Sequence, residues 1–232
     1  MFLVIPAPTV PTLAVAGTSD LFPVHRIYCV GRNYAAHARE MGHDPSKEPP
    51  FFFMKPADTI LQVADGAVAE LPYPSMTTDY HHEVEMVVAL SLGGRDIPVE
   101  QALSHVFGYA VGLDMTRRDL QLKAKAQSHP WELAKCADFS SPIGPIHLAE
   151  EVGHLTSGSI SLSVDGVPKQ SGKLSDMIWS VAEQISYLSK YFELRPGDLI
   201  YSGTPEGVGP VERGQKITAR IDNLGEINLL VV

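Results

Sequence analysis

Residues 79–90 read DYHHEVEMVVAL, and what this stretch becomes decides the rest of the chain. From Glu83 onward it reads as a buried strand: Val84, Val87 and Val88 are β-branched, and the run closes on Ala89 and Leu90. Glu83 and Glu85 are two residues apart, so a strand sends both side chains out of the same face. Neighbouring carboxylates repel, and each loses hydration when the strand is covered. Two expectations follow. Either a positive group compensates the pair, or the two glutamates lie on the solvated face of an edge strand.

A third carboxylate favours a site. Asp114 ends the next strand-like run, GYAVGLD. Three acids on adjacent strand ends suit a hard divalent cation such as magnesium, manganese or calcium. His81 falls on the same face as Glu83 and Glu85, which leaves a mixed histidine and carboxylate iron site open. A histidine beside a strand end is more often a partner of a ligand than a ligand, and His81 is assigned that role.

The totals exclude several classes. With 44% hydrophobic and 19% charged residues, the 232-residue chain has the balance of a folded, soluble protein rather than a disordered one. A net charge of −9 and the lack of a basic run argue against nucleic acid as a partner. No apolar stretch approaches the roughly 18 residues of a membrane span. The opening MFLVIPAPTVPTLAV carries no early Lys or Arg and is broken by prolines, unlike a secretory signal. Cys29 and Cys136 sit in apolar surroundings, as free thiols in a reducing cytoplasm do.

No linker or repeat divides the chain, so one domain over 1–232 is expected, with residues 1–25 as an N-terminal arm. A hairpin is expected within 12–24, a strand at 26–31, a helix from about Asn33 to Met41, and a strand at 51–56 stopped by Pro56. Further on, a short helix falls over 99–105, a strand over 108–115, and a helix after Thr116. Asp165–Gly166 marks a tight hairpin. The longest helix is expected over 175–192, capped by Ser175, with Ile178, Val181, Ile185 and Leu188 as its apolar stripe. Strands at 216–221 and 226–232 close the chain. The sum is an α+β, mostly β fold.

Three further groupings carry chemistry. In GRNYAAHAREM, His37 and Glu40 share a helix face, so a carboxylate can orient an imidazole as general base; the turn-rich GHDPSKEPP beyond makes this helix a candidate lid. A surface His–Glu pair satisfies the same spacing. In HPWELAKCADF, Lys135 follows an apolar approach, and a desolvated lysine there can hold an enolate or carboxylate, although a lysine snorkelling from a strand end also fits. SGTPEGVGPV lacks the Lys-Ser/Thr of a phosphate loop; backbone N–H groups and the Thr204 hydroxyl meeting a substrate carboxylate fit it better.

Taken in order, GRNYAAHAREM, HHEVEM, GYAVGLDMTRRD, PWELAK and SGTPEGVGPV resemble the fumarylacetoacetate hydrolase family, in its short acylpyruvate hydrolase branch, from about Arg26 onward. GHDPSKEPPFFF resembles the bacterial fumarylpyruvate hydrolases of gentisate-type aromatic catabolism. The resemblance implies a mixed β-sandwich roll with short helices and a lid helix, assembled as a homodimer. It implies Mg2+ or Mn2+ on Glu83, Glu85 and Asp114, a water-activating pair in His37 and Glu40, and an enolate-holding Lys135. Arg32, Arg118, Gln121, Gly203 and Thr204 are similar to residues that contact the keto-acid substrate. Arg117 stands where relatives often carry a small residue, which points to the pocket rim. The implied reaction is metal-dependent C–C hydrolysis of a 2,4-diketo acid. Oxaloacetate decarboxylation or keto–enol tautomerisation at the same site, and a ligand-binding module without catalysis, are the rivals.

Overall fold

The computed structural model describes residues 3–40 and 49–232, apart from the side chains of Ala38 and Glu40. The arm forms as expected, with β1 (Thr12–Ala14) antiparallel to β2 (Leu21–Pro23). β3 (Ile27–Gly31) follows, and Arg32, with φ of 57°, turns the chain toward α1 (Ala35–Glu40). Met41 and most of the candidate lid loop lie outside the described residues. β4 (Phe51–Lys55) ends at Pro56, then come β5 (Ile60–Gln62) and β6 (Val68–Leu71).

The DYHHEVEMVVAL stretch is two strands, not one. β7 (Tyr80–His82) and β8 (Val84–Leu90) are separated at Glu83, where the chain changes sheets. Beyond them lie α2 (Val99–Ala102), β9 (Val106–Leu113), β10 (Thr116–Arg117), α3 (Arg118–Ala126) and α4 (Glu132–Lys135). Lys135 therefore closes a helical turn rather than a strand. β11 (Ser141–Ile143), β12 (His147–Leu148) and α5 (Ala149–Val152) lead to the hairpin of β13 (Ser159–Val164) and β14 (Val167–Lys173). Its turn residues Asp165 and Gly166 have φ of 50° and 76°, the left-handed pair that a two-residue hairpin requires.

The helix expected over 175–192 is shorter. α6 (Val181–Ser189) starts after Ser180, whose hydroxyl accepts from the Glu183 N–H while the Glu183 carboxylate accepts from the Ser180 N–H. Ser175 lies instead in a 3-10 turn, Leu174–Asp176. The intervening backbone bends rather than winding into the helix, and it receives Asn33: the Ile178 N–H donates to the Asn33 carbonyl at 2.7 Å and the Trp179 N–H to Asn33 Oδ1 at 2.7 Å. At nine residues α6 only equals α3. The chain finishes with β15 (Leu199–Tyr201), β16 (Gly209–Val211), β17 (Lys216–Ile221) and β18 (Gly225–Val231).

The principal sheet runs β4-β3-β15-β8-β9-β11-β5, with β12 also on β9; a five-stranded sheet runs β14-β13-β17-β18-β6, and β10-β7-β16 form a small third one. Val84, Met86, Val88 and Leu90 of β8 share a core with Leu162 of β13 and Leu229 of β18, so the two larger sheets pack face to face. On the opposite face Val87 and Ala89 lie under Leu13 and Phe22 of the arm. β8 is consequently buried along its whole length, and the solvated edge strand is ruled out. The fold is the expected α+β, mostly β sandwich with short helices.

Across from Glu85 the partner residue on β9 is Gly112. A Cβ there would lie 2.5 Å from Val87 Cγ2 and 2.9 Å from Tyr201 Cε1, both in packed surroundings. Gly112→Ala should therefore destabilise the fold by about 1–3 kcal/mol, as overpacking does, read as a lower denaturation midpoint with an unchanged slope. An unaltered midpoint would mean that the side chains of β8 and β15 do not close over Gly112 this tightly.

Candidate active site

The change of sheets at Glu83 builds the site. The Asp114 N–H donates to the Glu83 carbonyl at 2.9 Å, tying the end of β9 to the break between β7 and β8. Glu85 projects from the face of β8 that carries Val87 and Ala89, beyond the cover of the arm. The carboxylates of Glu83, Glu85 and Asp114 thereby converge, each buried and offering an oxygen within 4.8 Å of the others. His81 is not among the converging groups. Its ring bonds Asp79 at 2.7 Å and accepts from Arg118 Nε at 3.4 Å, so it sits behind a residue that grips Glu83.

Three cations surround the cluster. Lys135 Nζ donates to Glu83 Oε2 at 2.8 Å and to Asp114 Oδ2 at 2.6 Å. Arg118 donates to Glu83 Oε1 and to Gln121 Oε1. Lys55, which sequence reasoning missed, donates to Asp114 Oδ1 at 2.7 Å and to the carbonyls of Ser140 and Met115 at 2.7 and 3.3 Å. In FFFMKP it reads as the polar end of an edge strand, and nothing local says that it is 1% exposed. Burial alone would raise the pKa of Glu83, but Lys135 and Arg118 hold it well below its ordinary value. Burial likewise works against the Lys135 ammonium, and Asp114 and Glu83 more than restore it.

Glu85 differs. Among the described residues its one hydrogen bond is from the Gly203 N–H to Oε2, at 2.7 Å, and no cation touches it. Burial, then Asp114 and Glu83, push its pKa well above the ordinary value. A buried carboxylate left uncompensated beside two others, all hard oxygen donors, fits a divalent cation such as Mg2+ or Mn2+.

Gly203 has φ of 100°, and a Cβ on it would lie 2.6 Å from that of Asn33; only glycine lets its N–H reach Glu85. The Thr204 hydroxyl donates to the Val84 carbonyl at 2.8 Å and accepts from Gln170 Nε2 at 2.8 Å. The loop therefore aims these two groups at the carboxylate strand, where a contact to substrate carboxylate was expected. Gln170 was missed: its Oε1 lies 2.9 Å from His82 Nδ1 and accepts from the Val84 N–H at 3.1 Å. Asn33, also missed, donates to the Ser202 and Trp179 carbonyls at 2.8 and 2.9 Å and joins α1 to this loop. Both act across more than 80 residues of chain, so neither leaves a local signal. Arg117 braces α4 by donating to the Leu133 carbonyl at 3.0 Å rather than lining the rim.

These parts border one pocket. Glu83, Glu85, Asp114 and Lys135 form its floor, with Arg118, Gln121, Thr204, Arg32 and the buried His37 around them. The Glu40 side chain lies outside the described residues, so its pairing with His37 does too. Phe51, Phe53 and Trp131 complete the wall.

Glu85 dictates a pH dependence. A carboxyl whose pKa is raised on folding stabilises the protein below its ordinary value of 4.5 and loses that contribution as the pH climbs. Glu83 acts with opposite sign, but below 4.5. A divalent cation favours ionised Glu85, so the rise in Tm produced by Mg2+ or Mn2+ over a chelated control should grow as the pH climbs above the ordinary carboxylate value of 4.5. A rise that does not vary with pH would remove Glu85 from the ligand set.

The pattern of the fumarylacetoacetate (FAA) hydrolase C-terminal family matches residues 26–232. A crystal structure of fumarylpyruvate hydrolase from Pseudomonas aeruginosa in complex with Mn2+ and pyruvate superimposes with a TM-score of 0.98 at 56% identity, covering 100% of this chain and 99% of that one. A fumarylpyruvate hydrolase of Ralstonia sp is 43% identical over 81% of this chain and 95% of its own. A mitochondrial oxaloacetate tautomerase of Arabidopsis thaliana is 45% identical over 87% of this chain and 88% of its own. With its carboxylate cluster built on the same fold as these enzymes, the chain belongs to the fumarylacetoacetate hydrolase family.

Proposed function

We propose that the protein hydrolyses the C–C bond of an acylpyruvate, with fumarylpyruvate giving fumarate and pyruvate in gentisate-type aromatic catabolism. The observation that carries this is the buried meeting of Glu83, Glu85 and Asp114 with Lys135, beside His37, in one pocket. The likeness to a structure holding Mn2+ and pyruvate supports it. Glu83, Glu85 and Asp114 would hold Mg2+ or Mn2+, which supplies Lewis-acid polarisation of a keto oxygen and charge to balance an enolate.

The chain's own groups divide the remaining work. His37, from the pocket wall, takes a proton from a water that attacks the C4 carbonyl, and Glu40 at helical spacing is its partner in this reading. The C3–C4 bond breaks, its electron pair leaves with pyruvate as the enolate, and C3 recovers a proton. Lys135 keeps its ammonium where that negative charge develops, in a site from which water is largely excluded. Arg118 and Gln121, fixed to each other and to Glu83, border the end of the pocket that suits the keto-acid carboxylate. The whole chain as one catalytic unit with residues 1–25 as an arm, homodimeric assembly and a cytoplasmic setting belong to the same proposal. No described helix is long and apolar enough to cross a membrane.

The likeness to an oxaloacetate tautomerase favours a second reading, oxaloacetate tautomerisation or decarboxylation, which needs the same stabilised enolate but no attacking water. Comparing kcat/KM on fumarylpyruvate, acetylpyruvate and oxaloacetate separates the two. The hydrolase reading expects an acylpyruvate to lead by at least about tenfold; a tenfold lead for oxaloacetate overturns it. His37→Ala should lower acylpyruvate cleavage by about 10²–10⁴-fold while Mn2+ binding, followed by calorimetry, is retained. Undiminished cleavage in that variant would remove His37 from the mechanism.

A further inference from the structure

α3 presents three polar side chains to the pocket at helical spacing: Arg118, Gln121 and Lys125, at positions i, i+3 and i+7. The first two are bound to each other and to Glu83. Lys125 is different. No acid touches it among the described residues, and its ammonium lies 5.2 Å from the centroid of the Trp131 ring. A rise of 1.5 Å per residue puts it about 10 Å further along the axis than Arg118, and so toward the far end of the pocket.

Aromatic rings and positive charge meet there. The Trp131 and Phe51 rings meet edge to face at 5.5 Å, and the Arg32 guanidinium lies 4.8 Å over Phe51. Burial and the neighbouring Arg118 and Arg32 push the Lys125 pKa down to about 8, a crowding of positive charge that an incoming carboxylate relieves. Lys55, Lys135 and Arg118 pair with Glu83 and Asp114, so Lys125 is a cation beyond those that the acids of the floor engage.

We propose that Lys125 is the counter-charge for a second carboxylate, at the acyl end of the substrate, and so selects acylpyruvates whose acyl chain ends in an acid over those with a neutral acyl group. The aromatic wall of Trp131 and Phe51 accommodates the chain between the two charged ends. This deepens the hydrolase reading and rests on it.

The test compares kcat/KM for fumarylpyruvate and for acetylpyruvate in the wild type, Lys125→Met and Lys125→Arg. The wild type should prefer the dicarboxylate. In K125M the ratio of the two kcat/KM values should fall by about 10–100-fold, the worth of a charge-assisted hydrogen bond, mainly through the KM for fumarylpyruvate. K125R should recover much of the ratio, because a cation is restored. An unchanged ratio in K125M, or an equal loss on both substrates, overturns the assignment while leaving the hydrolase reading intact. A wild type that cleaves neither acylpyruvate but turns over oxaloacetate overturns the hydrolase reading, and the role of Lys125 with it.

Discussion

One backbone hydrogen bond, Asp114 N–H to the Glu83 carbonyl, gathers the acidic groups on which the rest of the site depends. It joins the point where the chain leaves β9 to the point where it changes sheets between β7 and β8. Convergence of three buried carboxylates is costly unless positive charge is brought to them, and the surrounding structure is organised to bring it. Lys55 arrives from β4, Lys135 from α4 and Arg118 from α3, three elements that otherwise have little in common. Glu85, which accepts from the Gly203 N–H, is the member that these cations do not reach.

The supporting contacts explain why the pocket has the shape it does. Asn33 fastens the start of α1 to the Ser202 carbonyl, so the helix carrying His37 and the loop carrying Gly203 are placed together. Gln170 joins His82, Val84, Thr204 and Pro205 through one buried amide. A side chain that satisfies four partners at once is hard to replace, since each lost bond leaves a buried polar group behind. These two amides take no part in the proposed chemistry, yet they set the position of groups that do.

Legibility in the sequence followed the range of the interaction responsible. The hairpin at Asp165–Gly166, the stop at Pro56 and the arm over 12–24 depend on neighbours a few residues apart, and each appears where the pattern indicates. The helix expected from Ser175 failed because the N–H groups of Ile178 and Trp179 are taken by Asn33, up to 146 residues away. Ser180 and Glu183 form the capping signal that was overlooked in favour of an earlier serine. The buried strand expected from Glu83 onward forms as β8, one residue later; the break before it was not legible, because pairing of β7 with β10 and β16, and of β8 with β9 and β15, divides DYHHEVEMVVAL between two sheets.

The residues proposed for the chemistry were drawn from order and type, because an imidazole, a set of acids and a lysine in that succession are properties of the chain itself. The same is true of the alternation that buries Val84, Met86 and Val88 against the second sheet. Charge compensation is a different matter. Whether a lysine such as Lys55 ends in water or against Asp114, whether the Thr204 hydroxyl faces a ligand or the Val84 carbonyl, and where Lys125 stands relative to the carboxylates depend on how distant segments close on one another. Electrostatic energy depends on distance and burial through space, and a one-dimensional string encodes neither directly.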